Sequence, residues 1–132
     1  MRLSRSLLLA LTLGFGLGAC SRNPVAGNSG PEIVSIVAIP DTIGPNDSTV
    51  VVCAARDANG DALVYDWVTD ARLIVQGTRP NQTWLYNTQS NKHTFYIGPS
   101  YRYPVDTAWV QCFVRDLKGG QDARTINIYM HH

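Results

Sequence analysis

The sequence predicts an all-β domain built as a two-sheet sandwich and preceded by an export segment. Three observations indicate this class. Short runs of alternating or β-branched residues recur between clusters of Gly, Pro, Asn and Asp, which is typical of strands joined by turns. No convincing helical periodicity follows residue 20. Two cysteines and a tryptophan, Cys53, Cys112 and Trp67, each fall within one of the predicted strands.

The composition favours one globular domain. The chain has 132 residues, of which 45% are apolar and 16% are charged. Its formal charge is +1, and without Arg2 and Arg5 of the export segment nine basic residues face ten acidic ones. No basic stripe of the kind that binds nucleic acid is present, so we expect no nucleic-acid partner.

Residues 1–19 predict an export signal. Arg2 and Arg5 form a basic start, and residues 7–17 form an apolar core that is shorter than the ~20 residues needed to span a bilayer. The segment ends in Leu17-Gly-Ala-Cys20, which resembles the lipobox of bacterial lipoproteins. The resemblance implies cleavage before Cys20 and acylation of that residue. The alternative is an ordinary secreted protein cut near Ala19.

The lipobox has consequences for the anchor and for the thiols. Acyl chains on Cys20 would hold the chain on a membrane, and several chains anchor better than one. Ser21 is not Asp, and by the sorting rule of enterobacterial lipoproteins this favours the outer membrane. If Cys20 carries lipid, Cys53 and Cys112 remain as one pair in an oxidising compartment. A disulfide between them closes a loop of about 60 residues and would stabilise the domain by roughly 4 kcal/mol.

Residues 20–31 predict a tether between the lipidated cysteine and the domain, which we place at residues 32–132. The tether is rich in Gly, Pro, Asn and Ser and has no periodicity. We expect a flexible coil that reaches at most ~40 Å when stretched.

The first half of the domain predicts three strands. Residues 33–39 are mostly β-branched, and residues 40–47 form a turn-rich link. Residues 49–56 place Cys53 on one face, and residues 63–68 alternate so that Trp67 points to the core. Asn59-Gly60, which lies between the second and third strands, is a strong hairpin signal.

The second half predicts several shorter strands and two long ones. Gly, Pro, Asn and Gln separate three short runs, at residues 72–75, 83–86 and 94–97. Residues 107–115 form the long strand of Cys112. Residues 123–130 close the sheet, and we expect Ile126, Ile128 and Met130 to point inward.

The order and spacing of the cysteines and the tryptophan give the domain a more specific class. Trp67 follows Cys53 by 14 residues and Cys112 follows Trp67 by 45, which is the spacing of an immunoglobulin-like sandwich. The run Ala55-Arg-Asp-Ala-Asn-Gly-Asp-Ala-Leu-Val-Tyr-Asp-Trp67 resembles the A-x-D-x-(D/N)-G-D-x-L-x-Y-x-W run of PKD-type domains, and Val114-Arg-Asp-Leu-Lys-Gly-Gly120 is similar to their closing turn. The resemblance covers about residues 32–130. The chain departs from the family at residues 68–71, where Gly-Asp-Gly is absent, and at Ala108, which replaces a usual Tyr.

Strand alternation predicts an apolar outer face on the sheet that contains Trp67 and Cys112. If those two residues point inward, their neighbours point outward. The expected face consists of Val64, Val68, Trp109, Phe113 and Tyr129. An exposed apolar patch of this kind often marks a contact with another molecule. Ordinary aromatic packing between neighbouring strands is the alternative.

Acidic turn residues suggest a second site, for Ca²⁺. Asp57, Asn59, Asp61 and Asp116 offer oxygen ligands, some at alternating positions, and such ligands suit a hard cation. The alternative is a turn whose Asp side chains accept hydrogen bonds from their own backbone. No other cofactor is expected.

Aromatic residues in the middle of the chain suggest a third site. Five of them, Trp84, Tyr86, Tyr96, Tyr101 and Tyr103, fall in a stretch that reads as irregular. Aromatic side chains on loops could stack on sugar rings, or they could fill the core. His93, alone among polar residues, is expected at the surface.

The sequence contains no nucleophile elbow, no His-rich metal motif and no Gly-rich phosphate loop, so we expect no enzymatic activity. The expected function is a non-catalytic, lipid-anchored module of the cell envelope that mediates protein–protein interaction or structural display. The alternative is a carbohydrate-binding or adhesion module that uses loop aromatics. The expected partners are the membrane, through Cys20, and an envelope protein or polysaccharide.

Overall fold

The computed structural model describes residues 27–98 and 107–131. The predictions for residues 1–26, including Cys20 and most of the tether, lie outside these ranges, as do those for Tyr101 and Tyr103. Within them the chain is all-β. Nine strands follow in chain order: β1 Glu32–Ile39, β2 Thr42–Ile43, β3 Ser48–Arg56, β4 Val64–Thr69, β5 Leu73–Val75, β6 Trp84–Thr88, β7 Lys92–Ile97, β8 Thr107–Arg115 and β9 Gln121–Met130.

The strands form two sheets that pack face to face as an immunoglobulin-like sandwich. One sheet has the order β1-β3-β7-β5, and the other has the order β2-β9-β8-β4-β6. All neighbouring strands are antiparallel except β2 and β9. The prediction of an all-β, two-sheet immunoglobulin-like sandwich is therefore confirmed, as is the prediction that Trp67, Cys112 and Ile128 lie in one sheet.

Alternating burial explains why these segments form strands. In β8, Ala108, Val110, Cys112 and Val114 are buried while the residues between them are more exposed. β3 alternates in the same way, with Val51 and Cys53 buried. A period of two places every second side chain on one face of a sheet. The two inner faces therefore supply a single shared core.

Trp67 lies at the centre of this core and is fully buried. It pairs with Cys112 on β8 and with Leu85 on β6, and its ring centroid lies 6.0 Å from that of Phe95 in the opposite sheet. Its Nε1 donates a hydrogen bond to the Ser90 carbonyl at 3.3 Å, so the one polar atom of the ring is satisfied. The predicted core position of Trp67 is confirmed.

The prediction of a hairpin at Asn59-Gly60 is wrong. A tight turn does form, because the Gly60 N–H donates to the Asp57 carbonyl at 3.2 Å and Gly60 has a φ of 74°. However, β3 and β4 belong to different sheets. The turn therefore passes the chain across the sandwich. A turn signal reports local backbone geometry, whereas burial of the flanking side chains selects the sheet.

The structure also adds one short strand, β2, where a turn-rich link was expected. β2 lies within the turn-rich link and pairs with β9, and its Ile43 is fully buried. Trp84 and Tyr86 lie on β6 and Tyr96 lies on β7, in agreement with the short strands predicted at residues 83–86 and 94–97, so only the interpretation of these aromatic residues as loop residues is wrong. Tertiary pairing completes these short segments, whose local pattern is weak.

His93 is half-buried, which corrects its predicted surface position. It lies on β7 two residues from the buried Phe95, so both side chains point to the same face. Its ring stands edge-on to Trp67 with centroids 5.6 Å apart, and its Nε2 is buried without a hydrogen-bond partner. Burial lowers the pKa of His93 below its ordinary value, because the charged ring would lose its hydration.

Candidate functional site

The five residues of the predicted apolar face all lie on strands of the five-stranded sheet and on its outer side. Trp109 is 36% exposed and Tyr129 is 49% exposed, while Val64, Val68 and Phe113 are half-buried. Their inward neighbours, such as Tyr65, Val110 and Cys112, are buried. The alternation thus divides β4, β8 and β9 as the sequence predicts. Binding by this face stays a prediction.

The edge strand β6 extends the same face with two further aromatic residues. Trp84 is opposite Val68 in the strand register, and Trp84 and Tyr86 are 48% and 51% exposed. Their rings are stacked, with centroids 5.0 Å apart and planes inclined by 15°. The sequence predicts a strand at residues 83–86 but not the sheet to which it belongs, so these two residues were not added to this face. The apolar Leu85 between them, which packs on the core, was the available signal. We call the seven residues the outer aromatic face: Val64, Val68, Trp84, Tyr86, Trp109, Phe113 and Tyr129.

A polar network on this side links three neighbouring strands. Arg115 on β8 donates from Nε and Nη2 to the Asp66 carboxylate on β4, at 3.0 and 2.9 Å. The same Nη2 donates to Asn87 Oδ1 on β6 at 2.8 Å, and the Asn87 N–H donates to Asp66 Oδ1 at 2.7 Å. Two-point contacts of this kind fix both partners. The network holds the edge strand β6, with its exposed aromatic pair, against the rest of the sheet.

Cys53 and Cys112 meet in the core from opposite sheets, since Cys53 lies on β3 and Cys112 on β8. Both are fully buried, and both are free thiols in the structure. Cys112 shares a hydrogen bond with Cys53, and this bond, together with burial, raises the pKa of the Cys112 thiol above its ordinary value. A protonated, buried thiol is a poor nucleophile. Because both thiols are also shielded from solvent, the pair is placed for a structural role, and the disulfide stays a prediction.

Three of the four predicted Ca²⁺ ligands come together. Asp57 and Asp61, from the turn between β3 and β4, and Asp116, from the turn between β8 and β9, each place a carboxylate oxygen within 4.8 Å of the others. The fourth predicted ligand, Asn59, accepts a hydrogen bond at its Oδ1 from the Ser29 N–H at 2.7 Å. We call the three carboxylates the acidic cluster.

Partners within the two turns satisfy part of the acidic cluster. Asp57 Oδ1 accepts the N–H groups of Asn59 and Asp61 at 2.8 and 3.1 Å. The Lys118 ammonium donates to Asp61 Oδ1 at 2.5 Å, and this hydrogen bond raises the pKa of Lys118. The Oδ2 atoms of Asp57 and Asp61 are nonetheless buried without a hydrogen-bond donor. Buried carboxylate oxygens are costly without a partner, so this donor set fits a hard cation.

Asp116 is the most deeply buried member of the acidic cluster, with 3% exposure. Its Oδ2 accepts a hydrogen bond from Asn28 Nδ2 at 2.6 Å, and its Oδ1 accepts the N–H groups of Lys118 and Gly120 at 2.7 and 2.9 Å. The Asn28 contact is the main reason why the pKa of Asp116 lies below its ordinary value. Asp116 thus connects the closing turn of the domain to the segment before β1.

Two shallow depressions lie on the outer side of the other sheet, away from these sites. Their volumes are about 370 and 360 Å³, and Gln76 and Thr94 line both. Neither is lined by a residue of the outer aromatic face or of the acidic cluster.

Fold and surface together define the class of this protein as an immunoglobulin-like β-sandwich with an aromatic outer face. Comparisons with known protein families, with curated proteins and with solved structures find no match to the chain. The described part of the chain contains no apolar helix of membrane-spanning length.

Proposed function

We propose that this chain is a non-catalytic, lipid-anchored module of the bacterial cell envelope that binds a protein partner through its outer aromatic face. The anchor rests on the lipobox-like run Leu17-Gly-Ala-Cys20, and Ser21 favours the outer membrane. The relation to PKD-type domains rests on the two sequence runs that end at Trp67 and Gly120. In the envelope, which is oxidising, Cys53 and Cys112 would join in a disulfide beside Trp67.

One observation carries the proposal of a protein partner. Trp109, Tyr129, Trp84 and Tyr86 are each more than a third exposed, and all four lie on one side of one sheet. Tryptophan and tyrosine are enriched at the centres of protein interfaces, where they bury a large area with little loss of side-chain entropy. The Arg115–Asp66 pair on the same side supplies polar groups of the kind found at interface rims.

A specific observation also bears on the carbohydrate alternative. Trp84 and Tyr86 are exposed aromatic residues close to Asn87 and Asp66, a mixture that could bind a sugar. However, their rings lie over one another at 5.0 Å. The facing sides of the two rings are therefore unavailable to a sugar, which would need a flat and open platform. The arrangement favours a protein partner.

A charge placed at Trp109, on the central strand β8 of the five-stranded sheet, tests the proposal. Trp109→Glu puts a carboxylate where a partner would exclude water, so we expect association to weaken by tenfold or more, in line with ~1.4 kcal/mol or more for an interface hot spot. The measurement is recovery of a co-purifying envelope protein with the lipidated chain from detergent extracts. Soluble polysaccharides from the same cells are tested in parallel.

Val37→Glu provides a matched control, because Val37 is 42% exposed on the outer side of the opposite sheet. It should leave association unchanged. Circular dichroism and the melting temperature confirm that both variants fold. An equal loss of association in both variants, or no loss of association in Trp109→Glu, contradicts the proposed face. Polysaccharide that binds the chain in a manner dependent on Trp84 would favour the carbohydrate alternative.

A further inference from the structure

The segment before β1 is attached to one end of the sandwich. Residues 27–31, which we call the strap, precede β1 and cross the turns that join β3 to β4 and β8 to β9. We call this end the strap pole. The opposite end, formed by residues 44–47 and 70–72, is the far pole. The register of β8, which pairs with both β4 and β9, shows that the nine residues Thr107–Arg115 run from the far pole to the strap pole. At about 3.3 Å per residue, the poles lie roughly 30 Å apart.

Three contacts and the burial of Pro31 fix the strap. Asn28 Nδ2 donates to Asp116 Oδ2 at 2.6 Å, and the Ser29 N–H donates to Asn59 Oδ1 at 2.7 Å. Gly30 packs so closely on Gly120 that a Cβ added to Gly120 would lie 2.5 Å from the Gly30 Cα. Pro31 is buried. The tether was expected to stay flexible through Pro31, but the structure shows that its last residues contact both turns of the strap pole.

The docked strap shortens the free tether. Asn28 follows Cys20 by eight positions, and eight residue steps span at most ~28 Å even when fully extended. If the strap were free as far as Glu32, the same limit would be ~42 Å. The strap therefore determines both where the chain leaves the domain and how far the domain can lie from its anchor.

We infer that the strap holds the domain with its strap pole toward the lipid surface and its far pole away from it. This inference rests on the proposed lipid anchor at Cys20. It assigns a direction to the outer aromatic face: Val64 and Arg115 lie at the membrane-proximal end, and Trp109 and Tyr129 lie toward the distal end. Partners on the side away from the membrane thus reach Trp109 and Tyr129 first.

Energy transfer to a labelled bilayer tests this orientation. The full lipidated chain is reconstituted in phosphatidylcholine vesicles that carry an acceptor dye on the headgroups. A donor is attached either at Ala58→Cys, in the strap pole, or at Asn46→Cys, in the far pole. Both positions are exposed, whereas Cys53 and Cys112 are fully buried and are spared by labelling under native conditions. We expect several-fold more transfer from the Ala58 position.

A variant that releases the strap sharpens the test. Asn28→Ala with Ser29→Pro removes both hydrogen bonds, since proline has no N–H, and should reduce the difference between the two labels. Asn127→Ala, at an exposed position on β9, is the control and should preserve the difference. Slow hydrogen exchange at the Ser29 amide, lost when Asn59 is replaced by alanine, would independently support the docked strap.

The outcomes separate this inference from the proposed function. If the chain without substitutions does not float with the vesicles, or if the Cys20→Ala variant floats equally well, then the lipid anchor is wrong and the inference fails with it. If the chain floats in a manner that depends on Cys20 but both labels transfer equally, or the Asn46 position transfers more, the anchor stands and the orientation is overturned.

Discussion

At the scale of single residues, Trp67 and the two cysteines around it organise the core. Cys112 neighbours Trp67 in the strand register, and Cys53 reaches Cys112 from the opposite sheet. The spacing of these three residues predicts both the fold and the inward face of each strand. Their chemistry leads to a first prediction, on the thiols, and His93 beside Trp67 leads to a second, on pH.

We predict that chain purified from the cell envelope without reductant contains the Cys53–Cys112 disulfide. After denaturation it should show no thiol that reacts with a thiol reagent, because the proposed lipid would block Cys20 and the disulfide would hold the other two thiols. Reduction should lower the free energy of unfolding by roughly 4 kcal/mol. A chain that shows two reactive thiols on denaturation without reductant would contradict the disulfide.

His93 predicts a pH dependence of stability. Burial depresses its pKa in the folded state below the 6.5 of the unfolded chain, so the unfolded state binds the proton more readily. The domain therefore has its full stability above pH 6.5, the pKa of His93 in the unfolded chain. Its stability decreases as the pH falls through 6.5 toward the lower pKa of His93 in the folded chain. His93→Gln should reduce the dependence of the melting temperature on pH between pH 7.5 and 5, whereas His131→Gln, at an exposed position, should leave that dependence unchanged. An unchanged slope in His93→Gln would refute the assignment.

At the scale of elements, the two turns of the strap pole bring together residues that are distant in sequence. The turn after β3 carries Asp57 and Asp61, the turn after β8 carries Asp116, and the strap supplies Asn28. Two carboxylate oxygens in this arrangement remain buried without a donor. The turns are therefore the part of the fold where a bound cation would change stability most.

We predict that millimolar Ca²⁺ raises the melting temperature of the domain by binding the acidic cluster. Asp57→Asn removes one charge and should abolish the shift, whereas Asp41→Asn, an exposed residue near the far pole, should keep it. Mg²⁺ should substitute poorly, because it demands octahedral geometry and dehydrates reluctantly. A melting temperature that does not respond to Ca²⁺, or an equal response in Asp57→Asn, would show that Lys118 and the turn amides balance these charges alone.

Sequence reasoning succeeded for elements whose pattern is local and long. The β8 bounds, the inward Ile128 and Met130, and the outer position of Trp109 and Tyr129 all follow from period-two alternation. It failed where tertiary pairing decides. Asn59-Gly60 turns the chain but joins different sheets, and the strand predicted at residues 83–86 could not be assigned to a sheet, because β6 owes its place to pairing with β4.

The candidate sites likewise divide into parts that a local pattern predicts and parts that depend on tertiary contacts. The apolar face was predictable because it is the complement of the core, but its extension by Trp84 and Tyr86 was not, since that depends on which strand lies beside β4. Three carboxylates of the acidic cluster were predicted from their turns. The attachment of Asn28 to Asp116 joins residues 88 positions apart, and no local pattern indicates such a contact.

At the scale of the whole molecule, the outer aromatic face and the strap belong to one proposed arrangement of the domain on the membrane. The proposed anchor and the docked strap would place the strap pole near the membrane, and the strand directions would then carry Trp109 and Tyr129 away from it. The Arg115–Asp66 network joins β4, β6 and β8, so these strands would then present a rigid aromatic surface to a partner. Rigid surfaces bind with a smaller entropic cost than mobile ones.

The most direct test of this account is photo-crosslinking in living cells. A photoreactive phenylalanine analogue is placed at Tyr129, in the outer aromatic face, or at Val37, on the opposite sheet; both side chains are exposed, by 49% and 42%. We predict a discrete protein adduct from position 129 that is absent from position 37 and is lost when Trp109→Glu is added. An adduct only from position 37, or none from position 129 while the chain is folded and membrane-bound, would contradict the proposed partner face.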